Sequence, residues 1–277
     1  MINVFNKNEN VTYFESIDEL TNYCENTKSL RYNHAELGDY SFTHTRSLNE
    51  AIKLCKYGDE ELCTQIYNKS LEFNNVDTID KHRQHLVNDL VGFTPNVPNY
   101  VMGIPTNMIR DDRDKIKSKI VNIFINTACL GGVSADDILD TATKFVCAIN
   151  KLEECGYRCN IYSGCCGSYG GDYNLMIVKI KSDKEPLNLV KMAFPMCHPS
   201  FQRRLKFKWL ETTPIDFGSG YGITVTDTNK INKLLKNIFN DTKFTILNVS
   251  DENTGDVSDI FEQLKQKGMI NNEYSRN

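Results

Sequence analysis

The sequence lacks a long apolar run, an export signal and a strong excess of either charge. Its 277 residues contain no stretch near the roughly 18 consecutive apolar residues that a membrane-spanning helix requires. Residues 1–7 do not show the basic and then apolar order of a secretory signal, which predicts an intracellular chain. The net charge of −4, from 32 basic and 36 acidic residues, gives no bulk positive charge for nucleic-acid binding.

The composition is otherwise that of a folded globular protein. Hydrophobic residues make up 40% of the chain, charged residues 25%, and the mean hydropathy is −0.43. These values exclude a disordered chain, and the length allows a substantial core in one or two domains. The ten cysteines are scattered along the chain. We therefore expect free, mostly buried thiols and no secreted disulfide framework.

Residues 1–93 show helical periodicity and no convincing buried strand, which predicts a helical N-terminal region. Capping signals mark four predicted helix starts, in this order: Ser16, Ser47, Asp59 and residues 77–78. The second predicted helix ends at Gly58 and the fourth at Gly92.

Residues 94–117 form a predicted extended arm between the two halves of the chain. Its apolar part is interrupted by Pro95, Pro98, Gly103 and Pro105, which argues against a helix and against a central strand. Its apolar side chains, such as Val97 and Tyr100, predict that the arm lies along a surface of the second half. The charged run at 110–115 predicts a solvated turn.

From residue 118 to 270 strand and helix patterns alternate, which predicts an α/β fold with a mostly parallel, Rossmann-like sheet flanked by helices. The predicted strands cover residues 121–127, 157–162, 175–180, 222–226 and 244–249. The predicted helices cover residues 134–156, 186–197, 201–209, 229–239 and 258–267. A glycine-rich turn at 163–172 separates the second and third of these strands, and residues 271–277 form a polar tail.

The first of these strands ends in a polar loop that a long helix and a second strand follow. The loop reads Asn126-Thr127-Ala128-Cys129-Leu130. This order of elements resembles the opening of the von Willebrand factor type A domain, in which the loop Asp-X-Ser-X-Ser supplies oxygen ligands to Mg²⁺. Alanine and leucine stand here where that motif has serine. The resemblance therefore implies a von Willebrand A-like fold with a degenerate metal site and no bound metal.

The chain also contains four characteristic segments in this order: FTHTRSLNEA at 42–51, GFTPNVPNYVMGIP at 92–105, LEECGY at 152–157 and HPSFQRRLKF at 198–207. Together they resemble an uncharacterised family of proteins encoded by tailed bacteriophages and some bacterial plasmids. That resemblance implies a phage or prophage product that works in the host bacterial cytoplasm or is packaged in the particle. It implies no established chemistry.

The loop after the first α/β strand lies where ligands bind in open α/β sheets. Asp136 and Asp137, in the first turn of the next helix, would repel an anion there. Gly131 and Gly132, which follow in this loop, lack the Gly-Lys-Ser/Thr ending of a phosphate loop. We therefore interpret the loop as a protein contact formed by Asn126, Thr127, Cys129, Gly131 and Gly132.

A basic and aromatic stretch is the second candidate, formed by Arg203, Arg204, Lys206, Lys208 and Trp209. Guanidinium planes and aromatic rings can hold the phosphates and stack the bases of single-stranded nucleic acid. The alternative is an amphipathic helix in which Phe201, Leu205 and Trp209 cover the sheet while the charges face water.

Other constellations are weak. Four cysteines, Cys155, Cys159, Cys165 and Cys166, lack the paired spacing of a zinc site. Cys197 and His198 are neighbours whose side chains point apart, and His82 with His85 has no evident third ligand. We predict no metal, no cofactor, no catalytic residue and no enzyme. The predicted function is binding or assembly with a phage or host protein and no membrane, the alternative partner is single-stranded nucleic acid, and the oligomeric state is open.

Overall fold

The computed structural model describes residues 1–37, 40–73, 86–111, 120–129, 132–154, 157–218, 220–250 and 260. These residues contain ten strands: β1 Ile2–Asn6, β2 Glu9–Phe14, β3 Leu86–Asp89, β4 Thr94–Pro95, β5 Met108–Asp111, β6 Ile120–Asn126, β7 Arg158–Tyr169, β8 Asp172–Lys181, β9 Ile223–Thr224 and β10 Thr245–Asn248. Seven of them form one mixed sheet in the order β1-β2-β8-β7-β6-β10, with β9 paired to β7, and the other three form a small sheet in the order β3-β5-β4.

The helices are α1 Ile17–Asn26, α2 His34–Leu37, α3 Tyr40–Thr43, α4 Leu48–Tyr57, α5 Glu60–Phe73, α6 Val97–Val101, α7 Ala135–Glu154, α8 Leu189–Cys197, α9 Phe207–Glu211 and α10 Thr228–Phe239. A π-helix, Phe201–Lys206, leads directly into α9. The predicted caps of α1 and α4 are confirmed, because the Ser16 and Ser47 hydroxyls accept hydrogen bonds from Glu19 N and Glu50 N. None of the described helices is long and apolar enough to cross a membrane.

The large sheet confirms the α/β class. Parallel pairings join β10 to β6, β6 to β7, and β2 to β8, whereas β7 pairs with β8 and β1 with β2 in antiparallel fashion. On one face the helix among the described residues is α10, which packs through residues such as Phe124, Tyr162 and Leu234. The other face is covered by two apolar clusters, one formed with α5, α7 and α8 and the other with α1, α4, α8, the π-helix and α9. Helices therefore lie on both faces of the sheet.

The N-terminal region matches its prediction only in part. Residues 2–14 form the hairpin β1–β2, and β2 pairs with β8 along its whole length. The prediction that no buried strand lies before residue 93 is therefore wrong. Strand β1 is mostly exposed and both strands are short, which makes their strand pattern in the sequence weak. The fourth predicted helix falls mainly outside the described residues, and its last part is the strand β3.

The glycine-rich segment 163–172, predicted as a turn, is mostly strand. Strands β7 and β8 continue through it and leave only Gly170 and Gly171, both with positive φ, in the turn. Gly164 lies inside the sheet, where a Cβ would come within 1.9 Å of Met176 O on the neighbouring strand. Close approach between strands explains this glycine.

The arm after residue 93 also differs from its prediction. Residues 97–101 form α6, because Pro98 occupies the first helical turn, where a missing N–H breaks no hydrogen bond. Asn96 caps this helix by accepting from Asn99 N. Arg110 and Asp111 belong to strand β5 and not to a turn. The apolar side chains of this segment are exposed, so the prediction that they lie against the second half is wrong.

The remaining predicted elements of the second half are present with shifted ends, except the helix at 258–267 and the tail at 271–277. These two lie outside the described residues apart from Ile260, which is helical and buried.

Candidate functional site

Asn126 ends strand β6 and is completely buried. Its Nδ2 donates to Val225 O and to Asn248 Oδ1, each at 2.9 Å. Its Oδ1 accepts from Cys166 N at 3.0 Å and from Ala128 N at 3.4 Å. With all these bonds made inside the fold, Asn126 joins β6, β7 and β10 at the carboxyl edge of the sheet and offers no surface to a partner.

The rest of the predicted contact loop is held in the same way. Thr127 Oγ1 donates to Gly164 O at 3.1 Å. Cys129 N donates to Gln202 Oε1 at 3.0 Å, and Gln202 Nε2 donates back to Cys129 O. Burial raises the pKa of the Cys129 thiol to about 12. The loop thus binds the π-helix; Gly132 has open space around it, and Gly131 lies outside the described residues.

Most of the predicted basic and aromatic stretch is interior. Arg204 is completely buried and donates to Thr45 Oγ1, Thr45 O and Ala35 O at 2.5–2.8 Å. Trp209 Nε1 donates to Thr12 Oγ1 at 3.1 Å. Phe201, Leu205 and Trp209 cover the sheet, as the amphipathic alternative predicted. The basic charges do not all face water, however, because the Arg204 guanidinium is buried and links Ala35 and Thr45, both of which precede α4.

Two residues of that stretch remain near the surface. Lys208 is partly buried, and its Nζ donates to Ser29 Oγ at 2.9 Å. The Arg203 guanidinium is partly buried between the rings of Phe42 and Phe207, 5.2 and 5.5 Å from their centroids. An exposed basic groove of the predicted composition does not form, and nucleic-acid binding stays a prediction.

Lys206 has a different environment from every other basic residue of the stretch. It is 3% exposed, and no described residue forms an ion pair or a hydrogen bond with its Nζ. The groups that act on its charge are the thiols of Cys165, Cys166 and Cys129 and the Arg203 cation. Burial is the main cause that lowers the pKa of Lys206 below its ordinary value of 10.5.

Two asparagines complete this location, and sequence reasoning missed both. Asn10 on β2 and Asn174 on β8 are register partners in the parallel pairing. Both are completely buried, and neither the Nδ2 nor the Oδ1 of either residue has a hydrogen-bond partner. Asn174 is also the register partner of Gly167 on β7. A Cβ at Gly167 would lie 3.1 Å from both amide atoms of Asn174 and 3.3 Å from Lys206 Nζ.

These four residues, Asn10, Gly167, Asn174 and Lys206, are here named the Lys206 site. The site lies at the edge of the sheet where β6 and β7 end, which is where ligands bind in α/β sheets. Lys206 reaches it from a π-helix, an element that is frequent at functional positions. The signal in the sequence is that asparagine and glycine are unfavourable in strands, and it is hidden because Asn10 lies in the predicted helical region and Gly167 in the predicted turn.

A separate feature lies on α6 and on the segments that connect the strands of the small sheet. Eight large apolar side chains there are each at least 36% exposed: Leu90, Val91, Phe93, Val97, Tyr100, Val101, Met102 and Ile104. We name them the apolar surface. Exposure of this many large apolar groups from one segment is typical of an interaction site.

Other candidate constellations do not assemble. Among the described residues there is no group of three or more His, Cys, Asp or Glu side chains that could hold a metal ion. Cys165 and Cys166 point to opposite faces of the sheet. The ring of His198 stacks on Phe194, which does not bring it to the Cys197 thiol. Cys155, His82 and His85 lie outside the described residues.

Comparison with known proteins identifies the family without a function. No curated protein and no solved structure matches the chain. The model of one family, described as "Domain of unknown function (DUF7192)", matches residues 3–270, which is nearly the whole chain. The protein therefore belongs to the DUF7192 family.

Proposed function

We propose that this chain is an assembly protein that associates with a second copy of itself through the apolar surface. The observation that carries the proposal is the exposure of the eight apolar side chains between residues 90 and 104. Tyr100 and Val101 are 70% and 77% exposed, so contact with another apolar surface would remove a large hydrophobic area from water.

Charge favours a second copy as the occupant. Between residues 86 and 110 the chain has only two charged residues, Asp89 and Arg110. They neutralise each other, with Arg110 Nη2 3.0 Å from Asp89 Oδ2. Two copies of this surface can therefore meet without repulsion between like charges, and a two-fold arrangement would pair the same residues on both sides. A segment of this length is comparable to one side of a standard interface, roughly 20–30 residues.

The finer relationships belong to the same proposal. The succession of β6, α7 and β7, with the two strands parallel and adjacent, supports a von Willebrand A-like relationship. The absence of side-chain oxygens on Ala128 and Leu130 supports loss of its metal site. In the phage context that the sequence pattern implies, the assembly works in the host bacterial cytoplasm or in the particle, where a phage or host protein is a further partner.

The test is the molar mass of the intact chain in solution, measured by light scattering after size-exclusion chromatography over a range of concentrations. We expect a species of twice the monomer mass of 31.7 kDa. Tyr100→Asp places a charge on the apolar surface of both copies and should weaken dimerisation at least tenfold, since a buried interface aromatic contributes about 2 kcal/mol or more.

The matched control is Tyr57→Asp. Tyr57 is the last residue of α4 and is 74% exposed, so the same substitution is made at a comparable helical position away from the apolar surface. It should leave the dimer unchanged. A chain that stays monomeric at all concentrations, or a dimer that Tyr100→Asp does not weaken, rules out self-association through this surface.

A further inference from the structure

The fold contains two equally buried lysines whose surroundings differ. Lys181 is 2% exposed, and its Nζ lies 2.5 Å from Glu153 Oε1 and 3.1 Å from both Cys159 O and Ser182 O. It has the bonding that a buried ammonium requires. Lys206 is 3% exposed and has none of these bonds within the described part of the chain. Among the described residues, no carboxylate therefore pairs with the Lys206 amine.

The buried asparagines show the same contrast. Asn126 and Asn248 are joined to each other and to backbone groups, so their amides are used inside the protein. Asn10 and Asn174 are equally buried, yet all four of their amide atoms are unpaired. Leaving such groups without partners costs free energy, unless a bound molecule supplies the partners.

Glycine at position 167 keeps these groups accessible to one another. A side chain there would lie between the Asn174 amide and Lys206 Nζ, 3.1 Å from the one and 3.3 Å from the other. The unpaired Asn174 amide on β8 and Lys206 Nζ on the π-helix therefore both lie beside Gly167, and Asn10 is the neighbour of Asn174 on β2. Arg203, three residues before Lys206, adds a second positive charge close enough to lower the pKa of Lys206.

We propose that the Lys206 site binds a phosphate group, either as free phosphate or at the end of a small phosphate ester. An ammonium has three donors and each asparagine amide has two, so the site is rich in N–H groups for phosphate oxygens. Lysine is a common phosphate ligand as a point charge. The amide oxygens of Asn10 and Asn174 accept from hydroxyl groups of an ester. Burial of the site excludes a polymeric nucleic acid.

The experiment is isothermal titration calorimetry of the full chain at pH 7 with inorganic phosphate, glycerol 3-phosphate and, as a neutral control, glycerol. We expect one phosphate compound or both to bind one site per chain, with a Kd below about 1 mM. Equal affinity for the two phosphates assigns the site to free phosphate. An affinity for glycerol 3-phosphate more than tenfold higher assigns it to an ester.

Variants link the heat signal to the site. Lys206→Met should weaken binding at least tenfold, whereas Lys208→Met, on the same run of helix, should change it less than twofold. Asn174→Leu keeps the side-chain size and should also weaken binding at least tenfold, so it decides the matter if Lys206→Met does not fold. The proposal is overturned if neither phosphate binds, or if folded Lys206→Met or Asn174→Leu binds as tightly as the native chain.

Discussion

Replacing each buried lysine by methionine should affect stability in opposite directions. In Lys181→Met the Glu153 carboxylate, whose side chain is 14% exposed, loses its cation, and the carbonyls of Cys159 and Ser182 lose a donor. In Lys206→Met no described group loses a bond, while a buried amine that no described group pairs with is removed from the interior. The two side chains are nearly equal in burial, so the difference isolates the effect of having a partner.

The expected magnitudes follow from the cost of burying charge. Removing one member of a buried pair typically costs about 3–5 kcal/mol, so Lys181→Met should lower the free energy of unfolding by that amount. Exchanging a buried charge for an apolar side chain is often neutral or stabilising, by up to about 4 kcal/mol. Lys206→Met should therefore leave the free energy of unfolding unchanged or raise it. The pKa of Lys206 is lowered in the fold, so the rise in the free energy of unfolding of Lys206→Met depends on pH. It is largest below the folded pKa and disappears as pH rises toward 10.5, the ordinary pKa of lysine.

The assay is urea unfolding at pH 7 in a buffer without phosphate, followed by circular dichroism, with m-values compared to exclude a change in the denatured state. A loss of several kcal/mol in Lys206→Met, similar to that in Lys181→Met, would refute the reasoning. It would mean that the ammonium of Lys206 stabilises the fold.

Two further predictions concern the scaffold around the site. Burial, and to a smaller extent the charge of His44, lowers the pKa of His198 from 6.5 to about 3, although Asp59 Oδ2 lies 4.0 Å from its Nε2. Between these values the unfolded chain holds a proton that the folded chain lacks, so stability should fall by about 1.4 kcal/mol per pH unit as pH drops through the window. Urea titrations at pH 6 and pH 4 should show this slope in the native chain and in an Ile246→Val control, and lose it in His198→Asn. Gly164→Ala places a Cβ 1.9 Å from Met176 O and should cost more than about 2 kcal/mol, whereas Gly132→Ala, with nothing within 4 Å, should leave the Tm unchanged. Equal Tm values for the two alanine variants would contradict the packing assigned to Gly164.

Sequence reasoning succeeded where the signal is local. The capping serines of α1 and α4 are followed three residues later by glutamate, and the hydrogen bonds they make lie within one helical turn. The end of α4 at Gly58 follows from its φ of +96°, which glycine adopts without strain. The alternation of strands and helices after residue 118 predicts the α/β class because each of these elements is recognised from its own residues.

It failed where a residue's role depends on distant parts of the chain. Gly164 and Gly167 fall in the segment predicted as a turn, yet they belong to strand β7. A neighbouring strand or side chain approaches each of them so closely that a Cβ would not fit without a shift. The basic stretch predicts that Arg204 lies at the surface, yet it is buried because the backbone carbonyls of Ala35 and Thr45, more than 150 residues away, accept its hydrogen bonds. No pattern near position 204 reports these partners.

The Lys206 site combines both kinds of signal. Strand β2 reads Glu-Asn-Val-Thr-Tyr-Phe and β8 begins Asp-Tyr-Asn-Leu-Met, so each carries an asparagine inside an otherwise strand-like run. Asparagine is unfavourable in a strand, and a residue that contradicts its local structure without a compensating hydrogen bond indicates a functional position. The sequence could therefore have singled out Asn10 and Asn174, but not their pairing, because that depends on β2 and β8 being neighbours across more than 160 residues. Only the fold brings them to the lysine, and it does so through a π-helix that no sequence pattern predicted.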